Sequence, residues 1–185
     1  GDEYPDLVAQ STSSWQAQPT SPDEDKANPE RRPRVHLMVN DGNGYFNSGL
    51  SLMANEDYHR IHTYKDVFLA DLNNDGLDDI LTGSGGGGPL LNETIDNGIL
   101  LLMSDAETGQ YSDQTNLINF PRITRDRGEF TEEVLALAGV DLFVAADINN
   151  DGWKDLVTMA VAGGERGAFP LVLLNQEGAG FVPWD

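Results

Sequence analysis

Two short acidic segments carry most of the chemistry that this sequence offers. They are Asp71-Leu72-Asn73-Asn74-Asp75-Gly76-Leu77-Asp78-Asp79 and Asp147-Ile148-Asn149-Asn150-Asp151-Gly152-Trp153-Lys154-Asp155. Each places an oxygen-bearing side chain at positions 1, 3, 5 and 9. Each also has a glycine at position 6, where a sharp turn lets the position-7 carbonyl point inward. Hard cations that take six to eight oxygens at about 2.3–2.6 Å suit this donor pattern, and Ca²⁺ is the usual one. Two carboxylates about 5 Å apart repel by roughly 3 kcal/mol at an effective dielectric of 20, so three within one turn favour a cation between them.

The elements that hold these segments read as strands. Val67-Phe68-Leu69-Ala70 and Ile80-Leu81-Thr82 flank the first; Leu142-Phe143-Val144-Ala145 and Leu156-Val157-Thr158 flank the second. Short apolar runs with β-branched residues indicate buried strands rather than helices. An EF-hand would need a glutamate at position 12 and helices on both sides. Position 12 is Thr82 in one copy and Thr158 in the other.

A longer repeat contains the loops. After each one comes an apolar strand ending in a polar residue, then a glycine-bearing turn and an aromatic. These are Leu100-Leu101-Leu102-Met103-Ser104 with Gly109 and Tyr111, and Leu171-Val172-Leu173-Leu174-Asn175 with Gly178, Gly180 and Phe181. A third instance is Val35-His36-Leu37-Met38-Val39-Asn40, followed by Asp41-Gly42-Asn43-Gly44-Tyr45-Phe46, whose Asp-Gly and Asn-Gly pairs signal a hairpin. Its loop is the second half of the pattern: Asp2, Tyr4 and Asp6 align with positions 5, 7 and 9, and Glu3 replaces the glycine. The closing aspartates Asp6, Asp79 and Asp155 are 73 and 76 residues apart, a spacing typical of repeat architectures.

These residues resemble the FG-GAP/VCBS-type repeats of integrin-like β-propellers, through the D-x-[DN]-x-D-G-x-x-D loop and the later leucine-rich strand, Asn, Gly and Phe. The usual Phe-Gly…Gly-Ala-Pro signature is absent. The resemblance implies an all-β fold in which each repeat is a four-stranded blade with a calcium loop between its early strands. On that basis the units are about 1–65, 66–140 and 141–185, roughly two and a half blades. Residues 10–34 and 112–140 are insertions. Closed propellers have four to eight blades. Three expectations therefore stand: a piece of a larger propeller, a protomer completed by neighbours in a ring or fibre, or a compact departure from the family fold.

The chain has 185 residues, a net charge of −20 and no cysteine. That charge opposes binding to nucleic acid or anionic membrane. Lack of cysteine suits a reduced compartment or a secreted bacterial protein, and weak calcium loops favour a secreted, extracellular or cell-surface setting. No apolar stretch reaches 18 residues, so no membrane insertion is expected.

The proline-rich segment 10–34 reads as a solvated surface loop. Arg122, Arg125 and Arg127 form a small basic island, read as an internal charge partner, and Thr131–Ala138 reads as a short helix. His36, His59 and His62 form no H-E-x-x-H motif, and no Gly-x-Ser-x-Gly elbow occurs. Gly83-Ser84-Gly85-Gly86-Gly87-Gly88 lacks the Lys-Ser/Thr of a phosphate loop. Asn92-Glu93-Thr94 matches the glycosylation sequon.

The expectation is a non-catalytic extracellular module with two complete Ca²⁺ sites. One comprises Asp71, Asn73, Asp75, Asp79 and the Leu77 carbonyl. The other comprises Asp147, Asn149, Asp151, Asp155 and the Trp153 carbonyl. A third site at Asp2, Tyr4 and Asp6 is incomplete. The expected role is surface adhesion or structural assembly, the partner being a protein, a glycan surface or further copies of the chain. The alternative is a carbohydrate-binding propeller module or an accessory segment of a polysaccharide-active enzyme, with Trp15, Trp153 or Trp184 stacking on sugars.

Overall fold

The computed structural model describes residues 4–11, 34–48, 66–83, 99–126, 131–135, 143–161 and 168–184. These residues form antiparallel sheets, with a single 3₁₀ turn at Thr115–Leu117 and no α-helix among them. The first sheet has three strands in chain order, β1 (Leu7–Ser11), β2 (Arg34–Asn40) and β3 (Phe46–Ser48). The second has four: β4 (Asp66–Ala70), β5 (Asp79–Gly83), β6 (Ile99–Asp105) and β7 (Gln110–Asp113). A separate hairpin pairs β8 (Arg122–Asp126) with β9 (Thr131–Leu135). The third sheet repeats the four-stranded meander with β10 (Phe143–Ala146), β11 (Asp155–Val161), β12 (Ala168–Asn175) and β13 (Phe181–Pro183).

One register recurs in all three sheets. Leu7 faces Met38, Ile80 faces Leu102, and Leu156 faces Leu173. Two residues further along, Asn40 faces Phe46, Ser104 faces Tyr111, and Asn175 faces Phe181. Both complete loops thus bridge the first two strands of a four-stranded sheet, and the half-pattern at Asp6 leads into β1.

Side chains in a strand alternate between faces, and the core follows that alternation. Ile80, Leu100 and Leu102 pack on one side of the second sheet, against Val8 of the first. Leu81, Ile99, Leu101 and Met103 pack on the other, against Leu156, Leu171, Leu173 and Phe181 of the third. The second sheet is covered on both faces, which is why β6 reads as an unbroken apolar run instead of an alternating one.

The structure corrects one expectation. Thr131–Leu135 is a strand, with Arg125 placed opposite Glu132 and Ile123 opposite Val134. Helix-forming residues within this five-residue segment are outweighed by ladder hydrogen bonds to β8, and Thr131 and Val134 are β-branched. β7 runs to Asp113, and the β8–β9 hairpin lies within the segment 112–140. Of the residues singled out above, Asp2, Trp15, His59, His62, Asn92 and Arg127 lie outside the described residues. No helix among the described residues is long and apolar enough to cross a membrane.

Candidate functional site

The two loops share one backbone conformation. Position 4 is left-handed in both, at Asn74 (φ 57°) and Asn150 (φ 61°), and so is position 6, at Gly76 (φ 88°) and Gly152 (φ 92°). Asparagine tolerates this region because its short amide can bond locally, and glycine enters it without steric cost. The bends aim successive amides at the carboxylates. Asp71 accepts from the N–H of Asp75 (3.2 Å) and Gly76 (3.1 Å), and Asp147 from those of Asp151 (3.0 Å) and Gly152 (2.9 Å). The side-chain oxygen at position 3 accepts the position-5 N–H at 3.0 Å in both loops. Position 5 accepts the position-7 N–H, from Leu77 at 2.8 Å and Trp153 at 2.9 Å.

The closing aspartate ties each loop to its sheet. Asp79 is fully buried and accepts from the N–H of Leu72 (2.7 Å), the N–H of Ser104 (2.8 Å) and the Ser104 hydroxyl (2.8 Å). Asp155, equally buried, accepts from the N–H of Ile148 and of Asn175, both at 2.8 Å. Burial pushes the Asp79 carboxyl above its ordinary range; the Ser104 and Leu72 hydrogen bonds oppose this, and the Asp75 charge adds to it. No lysine or arginine among the described residues forms an ion pair with these loop carboxylates. Among the described residues, no three acidic or histidine side chains converge into a ready metal cage. Each loop concentrates carboxylate and amide side-chain oxygens within nine residues, and oxygen is the donor that hard cations take.

The half-loop at the start of β1 reproduces the same connections. Asp6 accepts the N–H of Asn40 at 2.9 Å, as Asp79 does from Ser104 and Asp155 from Asn175. Tyr4 stands at position 7 with its ring against Gly42, where an added Cβ would lie 2.7 Å from a ring carbon. Trp153, at position 7 of the second complete loop, sits in the same way against Gly178 (3.1 Å). Trp184 is exposed beyond β13, and its N–H bonds to the Val172 carbonyl.

Asn40 and Asn175 end β2 and β12, and Ser104 stands one residue before the end of β6; the sequence pattern assigns these polar residues no role. They are the sheet-side partners of the closing aspartates, which they follow by 34, 25 and 20 residues. Such uneven spacing hides the link from a pattern search. Asn175 goes further. Its amide donates to the Lys154 carbonyl of its own loop (3.0 Å) and to the Leu72 carbonyl of the neighbouring loop (2.7 Å). An unbroken hydrogen-bonded path therefore runs from Asp155 through Asn175 and Leu72 to Asp79. Asn74 adds a second link, donating to the Gly152 carbonyl at 3.2 Å. No protein-family description matches this chain, and no curated protein is found to be similar to it.

Proposed function

We propose that the chain is a non-catalytic, calcium-binding β-repeat module similar to FG-GAP/VCBS repeats, acting in surface adhesion or structural assembly outside the cell. One observation carries this reading. Two loops distant in sequence share an oxygen-only donor set and one backbone conformation, and their aspartates have no cationic partner among the described residues. A divalent ion would supply the missing charge. Asp71, Asn73, Asp75 and Asp79, with the Leu77 carbonyl, are the ligands assigned to one ion. Asp147, Asn149, Asp151 and Asp155, with the Trp153 carbonyl, are assigned to the other. The stacking of successive antiparallel sheets, two of them four-stranded, supports a propeller-type arrangement.

Bound calcium would clip two strands together. At free Ca²⁺ about 100 times the dissociation constant, each site would stabilise the fold by about 2.7 kcal/mol. Calorimetry in millimolar calcium and in EDTA tests this. A higher melting temperature in calcium is expected, and Asp75→Ala with Asp151→Ala should abolish the difference. Identical melting curves for the unaltered chain in the two buffers would end the calcium reading.

A further inference from the structure

The second and third sheets dock through the same three positions. In the third sheet these are Leu156, Leu173 and Phe181, at most 1% exposed and packed against the second sheet. In the second sheet they are Ile80, Leu102 and Tyr111, packed on the Val8 side, against the first. The register makes Leu7, Met38 and Phe46 their counterparts in the first sheet. There Leu7 is 48% exposed and Phe46 is 38% exposed. Among the described residues, no other sheet packs on that docking face of the first sheet.

The receiving face has a free counterpart as well. Leu81, Leu101 and Phe68 of the second sheet receive the third. Their equivalents in the third sheet are Val157, Val172 and Val144, joined side by side by the strand register. Val144 is 46% exposed, and Met159, on the same face, is 38% exposed. One molecule therefore presents both halves of the interface that it uses internally.

We infer that these faces join copies of the chain head to tail, with Leu7, Met38 and Phe46 of one copy on Val144, Val157 and Val172 of the next. Asn40 sharpens the match. Its amide repeats the bond that Asn175 makes within its own loop, donating to the Pro5 carbonyl at 3.2 Å as Asn175 donates to Lys154. Asn175 makes one more bond, across the sheet interface to Leu72. In the assembly Asn40 makes that bond to the equivalent Ile148 carbonyl of the second copy. Such a contact is heterologous, so it propagates to a ring or a filament instead of stopping at a symmetric dimer. The inference extends the assembly part of the proposed function and does not depend on calcium. The net charge of −20 opposes association, so screening by salt promotes it.

Sedimentation of the full chain in 150 mM salt, with calcium and with EDTA, tests the assembly. The unaltered chain should form concentration-dependent multiples of its 20.1 kDa mass. Leu7→Glu spoils only the docking face and Val144→Glu only the receiving face. Each variant alone should remain a monomer. Their equimolar mixture should stop at a dimer, because one intact face of each kind remains. Both positions are about half exposed, and circular dichroism should show both variants folded. Asn40→Ser, which removes one hydrogen bond across the interface together with the side-chain bonds to Pro5 and Gly42 within the copy, should weaken association by about tenfold. A monomeric unaltered chain at high concentration, variants that assemble like it, or a dimer of either variant alone would overturn the inference. Assembly without a calcium effect on melting would retain it while removing the calcium reading.

Discussion

Replacing Asn175 by serine tests the physical link between the two loops. Asn175 is 1% exposed and engages its backbone N–H and both side-chain polar atoms: the N–H on Asp155, the amide on the Leu72 and Lys154 carbonyls, and the side-chain oxygen on the Gly178 N–H. Serine keeps the backbone bond to Asp155. The second sheet shows that a serine fits at this point, because Ser104 turns its hydroxyl onto Asp79 at 2.8 Å. In Asn175→Ser the hydroxyl should turn likewise to Asp155. The Lys154 carbonyl, in a half-buried residue, can take water; the Leu72 carbonyl belongs to a residue only 1% exposed and loses its donor. An unsatisfied buried acceptor costs about 1–3 kcal/mol, loss of the Gly178 N–H bond costs about 1 more and the new hydroxyl bond returns about 1, for a net loss of about 1–3 kcal/mol. Asn175→Asp has the same shape but sets an oxygen against two carbonyls beside the Asp155 charge, and should cost at least about 3 kcal/mol at neutral pH. Urea unfolding in EDTA, monitored by circular dichroism, should rank the chains unaltered, then serine, then aspartate, with a constant m-value. A double-mutant cycle between Asn175→Ser and Asp79→Asn should show a coupling above about 0.5 kcal/mol, because both act on the Leu72 backbone. A serine variant as stable as the unaltered chain, or a null cycle, would refute the Asp155–Asn175–Leu72–Asp79 path.

Three further outcomes follow from the same structure. The Thr82 hydroxyl is buried without a hydrogen-bond partner, so Thr82→Val should raise stability by about 1 kcal/mol in urea unfolding; a loss would mean that the hydroxyl is satisfied in solution. Tyr111 donates to the Asp78 carbonyl, and burial, then the charges of Asp79, Asp78, Asp6 and Asp75, raise its phenol above the ordinary value of 10.0. The folded phenol therefore holds its proton where the unfolded one has released it. Relative to Tyr111→Phe, the unaltered chain should lose stability as pH climbs from about 10 through the raised value, which paired unfolding curves at pH 9 and 11 would show. Gly178→Ala adds a methyl 3.1 Å from the Trp153 ring at a left-handed φ of 81°, whereas Gly152→Ala meets no atom within 4 Å. Both should lose roughly 1–2 kcal/mol to backbone strain, and Gly178→Ala should lose more and shift the Trp153 emission.

Much of the local structure was legible because local rules govern it. The Asp-x-Asn-Asn-Asp-Gly order specifies which residues bend left-handed and which amides meet which carboxylates, all within a few residues. The strands beside the loops follow from short apolar runs, and the hairpin after Asn40 follows from its Asp-Gly and Asn-Gly pairs. Thr131–Leu135 went the other way: its helix-forming residues were legible, but the ladder to Arg122–Asp126 lies outside any local window.

Taken alone, then, the amino-acid order determined the acidic loops, the strands around them and the repeat that relates them. Tertiary structure alone decided that Ser104, Asn175 and Asn40 are the partners of the closing aspartates. It also decided that Asn175 reaches the neighbouring loop, and that Leu7 and Phe46 remain exposed where Leu156 and Phe181 are buried. The reason is physical. Backbone bends and nearby hydrogen bonds are short-range and encoded by adjacent residues, whereas burial and cross-sheet bonds depend on which surface packs against which. Identical repeat positions acquire different environments according to whether a neighbouring sheet covers them.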